Sequence, residues 1–140
     1  MNTQHSCGVI VVYKEIPNKF LLLKQNEPHS WSFPKGHMEK NEEPKETALR
    51  ELLEETGIKK INLLRLPILE EKKYKVVDNK ERVYKTNKYF IGFVDSKKVT
   101  IKKDEIAEYR WVTYEEALDL FEYKNRKEVL KQAQAYLEGL

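Results

Sequence analysis

One stretch constrains this chain more than any other. Residues 44–56 read PKETALRELLEET, with Pro44 suited to a first helical turn and Gly57 suited to the position just past a helix end. The pattern predicts a helix over 44–56. Residues three and four apart share a helix face. Glu51, Glu54 and Glu55 should therefore project from one side, within about a third of a turn of one another. Leu49, Leu52 and Leu53 point toward the other side and are expected to enter a core. Crowded carboxylates repel, by about a few tenths of a kcal/mol for each like pair on a bare helix. A divalent cation reverses that cost, and hard oxygen ligands of this kind suit magnesium or manganese, which also bind phosphate oxygens. Taken alone, an acidic helix face is more often simply solvated.

The rest of the chain reads as strands around this helix. Cys7–Tyr13 (CGVIVVY) is an apolar, β-branched run and reads as a buried strand. Lys19–Lys24 reads as a second strand, joined to the first by a turn at Ile16-Pro17-Asn18 to make a hairpin. Asn26–His37 holds two prolines and a glycine and reads as an ordered loop. Ile61–Leu69, Lys73–Val77 and Arg82–Val94 have strand character, with a turn over 76–80 between the last two. Tyr109–Val112 is a short strand. Thr113-Tyr-Glu-Glu116 has the form of a capping box and opens a helix to about Phe121. Asn125–Glu128 is the analogous start of a last helix, to about Leu137. This order predicts an α+β fold, with a mixed sheet packed between helices.

Composition narrows the classes. A length of 140 residues suits a single domain over 1–140 with its own core. Hydrophobic residues make up 40% and charged residues 35%, which argues against a disordered chain. The apolar runs Val9–Val12 and Phe20–Leu23 are too short to span a bilayer, and no signal-peptide pattern opens the chain, so no membrane partner is expected. Cys7 stands alone, which excludes an internal disulfide and makes a reducing, cytoplasmic location the default. A net charge of +3 does not argue for a nucleic-acid coat protein. Glutamates crowd between Glu39 and Glu55, and lysines and arginines between Lys72 and Lys88. An acidic patch beside a basic one suits a metal–polyphosphate ligand.

The helix belongs to a longer pattern. Written with U for a bulky apolar residue, residues 36–58 follow G-x5-E-x7-R-E-U-x-E-E-x-G-U. The matched positions are Gly36, Glu42, Arg50, Glu51, Leu52, Glu54, Glu55, Gly57 and Ile58. This is the Nudix box, and the chain resembles a Nudix hydrolase. The strands Cys7–Tyr13 and Phe20–Lys24, the segment Trp31–His37 (WSFPKGH), the strand Tyr109–Val112 (YRWV) and the C-terminal helices are similar to the asymmetrical diadenosine tetraphosphate hydrolase branch. The resemblance implies an α/β/α sandwich around a mixed sheet. It implies hydrolysis of a nucleoside polyphosphate, with diadenosine tetraphosphate going to ATP and AMP, and magnesium or manganese as cofactor.

The resemblance also assigns roles. Glu51, Glu54 and Glu55 are implied as metal-binding or water-activating carboxylates, with the carbonyl of Lys35 or Gly36 as a further ligand. Arg50 and Glu42 are implied as a salt bridge fixing the loop to the helix. Glu105 is implied as a carboxylate from outside the box, with Asp104 and Glu108 nearby. Lys35, His37 and Lys88 are candidates for phosphate oxygens. An adenine needs a π-face, and Tyr84 and Tyr89 both remain open for it, with Tyr123 and Lys124 a second possibility. Trp31 and Trp111 are read as packing residues. The expected partner is a small nucleotide bound to a monomer. A 5′ RNA end is the alternative substrate, and a nucleotide-sensing module without turnover is a more distant reading.

Overall fold

A computed structural model describes residues 2–76 and 82–140. Its spine is β1 (Asn2–Tyr13), the strand expected from the CGVIVVY run but longer at its start. Cys7, Val9, Ile10, Val11 and Val12 are all fully buried. A strand covered on both faces needs no polar alternation, which explains the unbroken apolar run. β1 runs parallel to β6 (Arg82–Val94) along its whole length. β6 pairs in turn, antiparallel, with β5 (Asn62–Val76). β5 is continuous where two separate strands were expected, with a register shift between Leu63 and Ile68 taking up the irregularity. The expected turn at 76–80 lies, beyond Val76, outside the described residues.

On its other side β1 is shared. Its end forms the expected hairpin with β2 (Lys19–Gln25), through Val12 opposite Phe20 and Tyr13 opposite Lys19. β2 then diverges and pairs with β7 (Ile106–Val112), which is longer than the YRWV segment alone. The fork is filled by the segment expected to be a loop. It contains β3 (Trp31–Ser32), paired with β2, and β4 (Lys35–His37), paired with β1. Gly8 permits this approach, because a β-carbon there would meet the Pro34 carbonyl.

Among the described residues, three helices cover the sheet. α1 (Pro44–Thr56) has the expected bounds. Gly57 ends it at φ 72°, a left-handed conformation that glycine adopts freely, with its N–H donating to the Leu53 carbonyl. α2 (Tyr114–Leu120) opens with the expected reciprocal cap between Thr113 and Glu116. α3 (Lys124–Glu138) starts one residue earlier than expected. Asn125 does not cap it; its amide donates instead to the Lys72 carbonyl at 2.8 Å and ties α3 to β5.

Alternation along β1 divides the core. Val9 and Val11 pack with Ala48 and Leu52 of α1, together with Leu21, Leu23 and Phe90. Ile10 and Val12 pack with Ala117, Val129, Leu130 and Ala133 of α2 and α3, together with Phe33 and Tyr89. The architecture is the expected mixed sheet between helices. One detail of α1 differs: Leu53 is 43% exposed, and Ala48 and Leu52 make the buried stripe instead. Trp31 packs in the core, and Trp111 packs edge-on against Tyr13.

Candidate active site

Arg50 organises the acidic end of α1. Its Nε and Nη2 grip the Glu42 carboxylate at 2.7 and 3.0 Å, and Nη2 also donates to the His37 carbonyl at 3.0 Å. Such a planar, two-point contact holds the loop before α1 against the helix. Glu42 also accepts from the Glu39 N–H and the Thr47 hydroxyl, each at 2.8 Å. The Arg50 guanidinium, helped by these donors, holds the Glu42 carboxyl down at about 2. The expected pairing of Arg50 with Glu42 is present.

The three box glutamates fan out. Glu54 is exposed, Glu51 is half-buried, and Glu55 is 3% exposed. Arg50 Nη1 donates to Glu51 at 3.0 Å and to Glu54 at 3.3 Å. Glu55 accepts from the Lys35 backbone N–H at 3.0 Å. Gly36 of β4 lies so close that a β-carbon there would collide with the Glu51 carboxylate. Burial pushes Glu55 up to about 8, with the Glu51 charge adding to it. Burial also raises Glu51, with Glu54 adding. Both shifts come first from removing the carboxylates from water.

The glutamates form one wall of a cavity of about 420 Å³, with Glu39 and Glu105 beside them. Facing or flanking them are Lys35, His37, Lys73 and Lys85. Gln4, Ser6 and Asn87 complete the floor. Sheet register explains the grouping. His37 lies opposite Ser6, Ser6 beside Asn87 and Asn87 opposite Glu71; Gln4 lies beside Lys85, and Lys85 opposite Lys73. Burial pulls Lys35 down to about 8, with the Arg126 charge adding and Glu71 opposing. Of the three acids Asp104, Glu105 and Glu108, Glu105 reaches the cavity, where it is exposed and paired with Lys102 at 3.0 Å. Glu108 pairs with Arg110 instead.

Three expected binding residues stand elsewhere. Tyr89 is fully buried, edge-on to Phe33, with its hydroxyl donating to Glu71. It has no face free for a base. Tyr84 packs against Tyr74, ring centroids 4.9 Å apart, and does not line the cavity. Lys88 lies between Cys7 and Glu70 in the ladder, on the parity of Phe90, and also misses the cavity. Strand parity separates Tyr84 and Lys88 from Lys85 and Asn87, whereas Tyr89 shares their face but lies two residues further along it, where Phe33 covers it in the core. Tyr123 is exposed, with Lys73 and Arg126 over its ring at 5.3 and 5.2 Å. Sequence reasoning missed Lys73, Lys85 and Asn87. The signal was the basic run 72–88, but sorting it needed the strand pairing.

Among the described residues, no three acidic, histidine or thiol side chains already converge into a cation cage. Arg50 occupies oxygens of Glu51 and Glu54 that a cation would share. The donor set nevertheless fits a hard divalent ion: neighbouring carboxylates, two of them partly withdrawn from water, beside the backbone of Gly36.

A sandwiched mixed sheet with a glutamate helix bolted to its forked edge defines a class of protein, and the NUDIX domain model matches residues 4–133. The chain belongs to the Nudix family and is a Nudix hydrolase. It is 33% identical over 141 aligned positions to the asymmetrical bis(5′-nucleosyl)-tetraphosphatase of Mus musculus, covering 94% of each chain. It is 33% identical to an RNA pyrophosphohydrolase of Nitratiruptor, over 83% of this chain and 79% of that one. Among solved structures, the Caenorhabditis elegans Ap4A hydrolase binary complex superposes with a TM-score of 0.84 at 25% identity, covering 98% of this chain and 99% of the other.

Proposed function

We propose that this enzyme hydrolyses diadenosine tetraphosphate to ATP and AMP, by in-line attack of water on phosphorus. The observation that carries this reading is the two-sided cavity, in which Glu51, Glu54, Glu55 and Glu105 meet Lys35, Lys73 and Lys85. A polyphosphate chain and its cations need both signs of charge within a few ångströms. The full-length likeness to the mouse tetraphosphatase supports the dinucleotide as substrate.

Glu51, Glu54 and Glu55, with the Gly36 carbonyl and Glu105, would hold magnesium, or manganese in its place. When bound, the ion supplies positive charge that neutralises phosphate oxygens and acidifies water. The chain's own residues do the rest. Lys35, Lys73, Lys85 and His37 draw the phosphate oxygens to the floor and align the scissile linkage. Arg50 holds Glu51 and Glu54 in place while Glu42 holds Arg50. Water adds to phosphorus, the bond to the leaving nucleotide phosphate breaks, and the proton from water passes to a glutamate. Glu55, Glu51 and Glu105 are the candidate acceptors.

The test is incubation with diadenosine tetraphosphate, magnesium and oxygen-18 water. ATP and AMP should form, with label in one product only. Two molecules of ADP would overturn the asymmetric cleavage. Intact dinucleotide would overturn the substrate. The Nitratiruptor relative favours one second reading, removal of pyrophosphate from a 5′ RNA end. A triphosphorylated RNA in the same panel separates the two.

A further inference from the structure

Behind the cavity floor sits a charge pair that the hydrolytic mechanism does not use. Glu71 of β5 and Arg126 of α3 have side chains only 1% and 5% exposed. The pair is imperfect. Arg126 Nε stands 3.7 Å from Glu71 Oε2, beyond hydrogen-bond reach, and neither atom has a hydrogen-bond partner among the described residues. A buried ion pair recovers its desolvation cost only with close, fully bonded geometry. This pair lacks that geometry, so fold stability is a poor reason for its presence.

What the pair does hold is the wall of the site. Glu71 Oε1 accepts from the Asn87 amide at 2.8 Å and from the Tyr89 hydroxyl at 3.2 Å. A carboxylate only accepts, so it fixes which end of the Asn87 amide turns inward. Asn87 lines the cavity between Ser6 and Glu71 in the ladder. Arg126 donates to the Trp31 carbonyl at 2.8 Å and lies under the Tyr123 ring. It thereby ties α3 to the segment that leads into Lys35 and Gly36.

We propose that Glu71 and Arg126 are positioning residues: they hold Asn87 and the Trp31–Gly36 segment in the geometry that receives the phosphate-bearing substrate. The proposal rests on the polyphosphate reading of the cavity.

Replacing both charges with apolar side chains of similar length separates this role from a structural one. Removing one alone would strand the other. Glu71→Met combined with Arg126→Met should still unfold cooperatively, at a temperature below the wild type's because the Asn87 amide, the Tyr89 hydroxyl and the Trp31 carbonyl lose buried partners. Its KM for diadenosine tetraphosphate should rise at least about fivefold, with kcat within about twofold. Asn87→Ala should raise KM similarly, and adding it to the pair variant should change KM little further. An unchanged KM in the pair variant overturns the proposal. So does a pair variant that fails to fold, since the charges then serve the fold, and so do KM effects that multiply. If the wild-type enzyme leaves the dinucleotide intact, the substrate reading falls by itself. Calorimetric affinity for ATP in the same variants then decides, with equal affinities, or no binding even by the wild type, overturning the proposal.

Discussion

Glu55 sets chemistry against stability. It is buried at the end of α1, and burial lifts its carboxyl to about 8. For an acid raised in the folded state, the stabilising contribution is complete below its ordinary value near 4.5 and is lost as pH rises through about 8. Glu55→Gln should therefore leave the metal-free enzyme as stable as the wild type, or more so, at pH 8. The same change should lower turnover by at least about a hundredfold, because an amide is a poor ligand and base. Melting curves in chelator and rates in magnesium check the two halves, and a rate loss under tenfold would remove Glu55 from the site. Glu42 has the opposite sign. Arg50 holds it at about 2, so its contribution is full above about 4.5 and lost as pH falls through about 2. Glu42→Gln should melt below the wild type at pH 7, and the gap should close between pH 4.5 and 2. A gap that does not change with pH would mean that Arg50 does not hold Glu42. These residues were legible in the sequence because helix spacing and a short preceding loop are local facts. Tyr89 was not, because its strand face lines the cavity at Lys85 and Asn87 and becomes core two residues later, where Phe33 and α3, far along the chain, cover it.

The faces of α1 can be tested within one element. Sequence periodicity assigned Leu52 and Leu53 alike to the core, but adjacent helix residues differ by about 100° and only one can point fully inward. Leu52 is fully buried against Val9, Val11 and Phe90, whereas Leu53 is 43% exposed. Leu52→Ala should cost about 2–5 kcal/mol, and Leu53→Ala no more than about 0.5 kcal/mol, both measured by denaturant unfolding. Similar losses at the two positions would refute the orientation. At this scale the helix ends were legible from Pro44 and Gly57, which act through their own backbones. The strands β3 and β4 were not. Two prolines and a glycine within 26–37 mark a loop by composition, and the pairing with β1 and β2 comes from the fork in the sheet, a property of no single segment.

The molecule as a whole joins two cores on opposite faces of one sheet, and the acidic wall lies where α1, β4 and the start of β1 meet. The order of strands and helices made this sandwich legible, because a β1 without polar alternation must be covered on both faces. Of the cavity's basic half, Lys35 and His37 were legible because they adjoin the glutamate helix in sequence, whereas Lys73 and Lys85 come together only across β5 and β6. Cation binding at the acidic wall should therefore be felt by global unfolding. The unfolded chain scatters these glutamates, so an ion bound by the folded state alone stabilises it by RT ln(1 + [L]/Kd), about 2.7 kcal/mol at a hundredfold excess over Kd. For a chain of this length that corresponds to a rise in melting temperature of roughly 5–10 °C. The rise should saturate with magnesium and be absent with sodium at equal ionic strength, because screening alone does not bridge carboxylates. Glu54→Gln combined with Glu55→Gln should flatten it. A melting temperature indifferent to magnesium and manganese in the wild type would mean that the glutamates of α1 do not hold the ion, and catalysis would need another anchor for the polyphosphate.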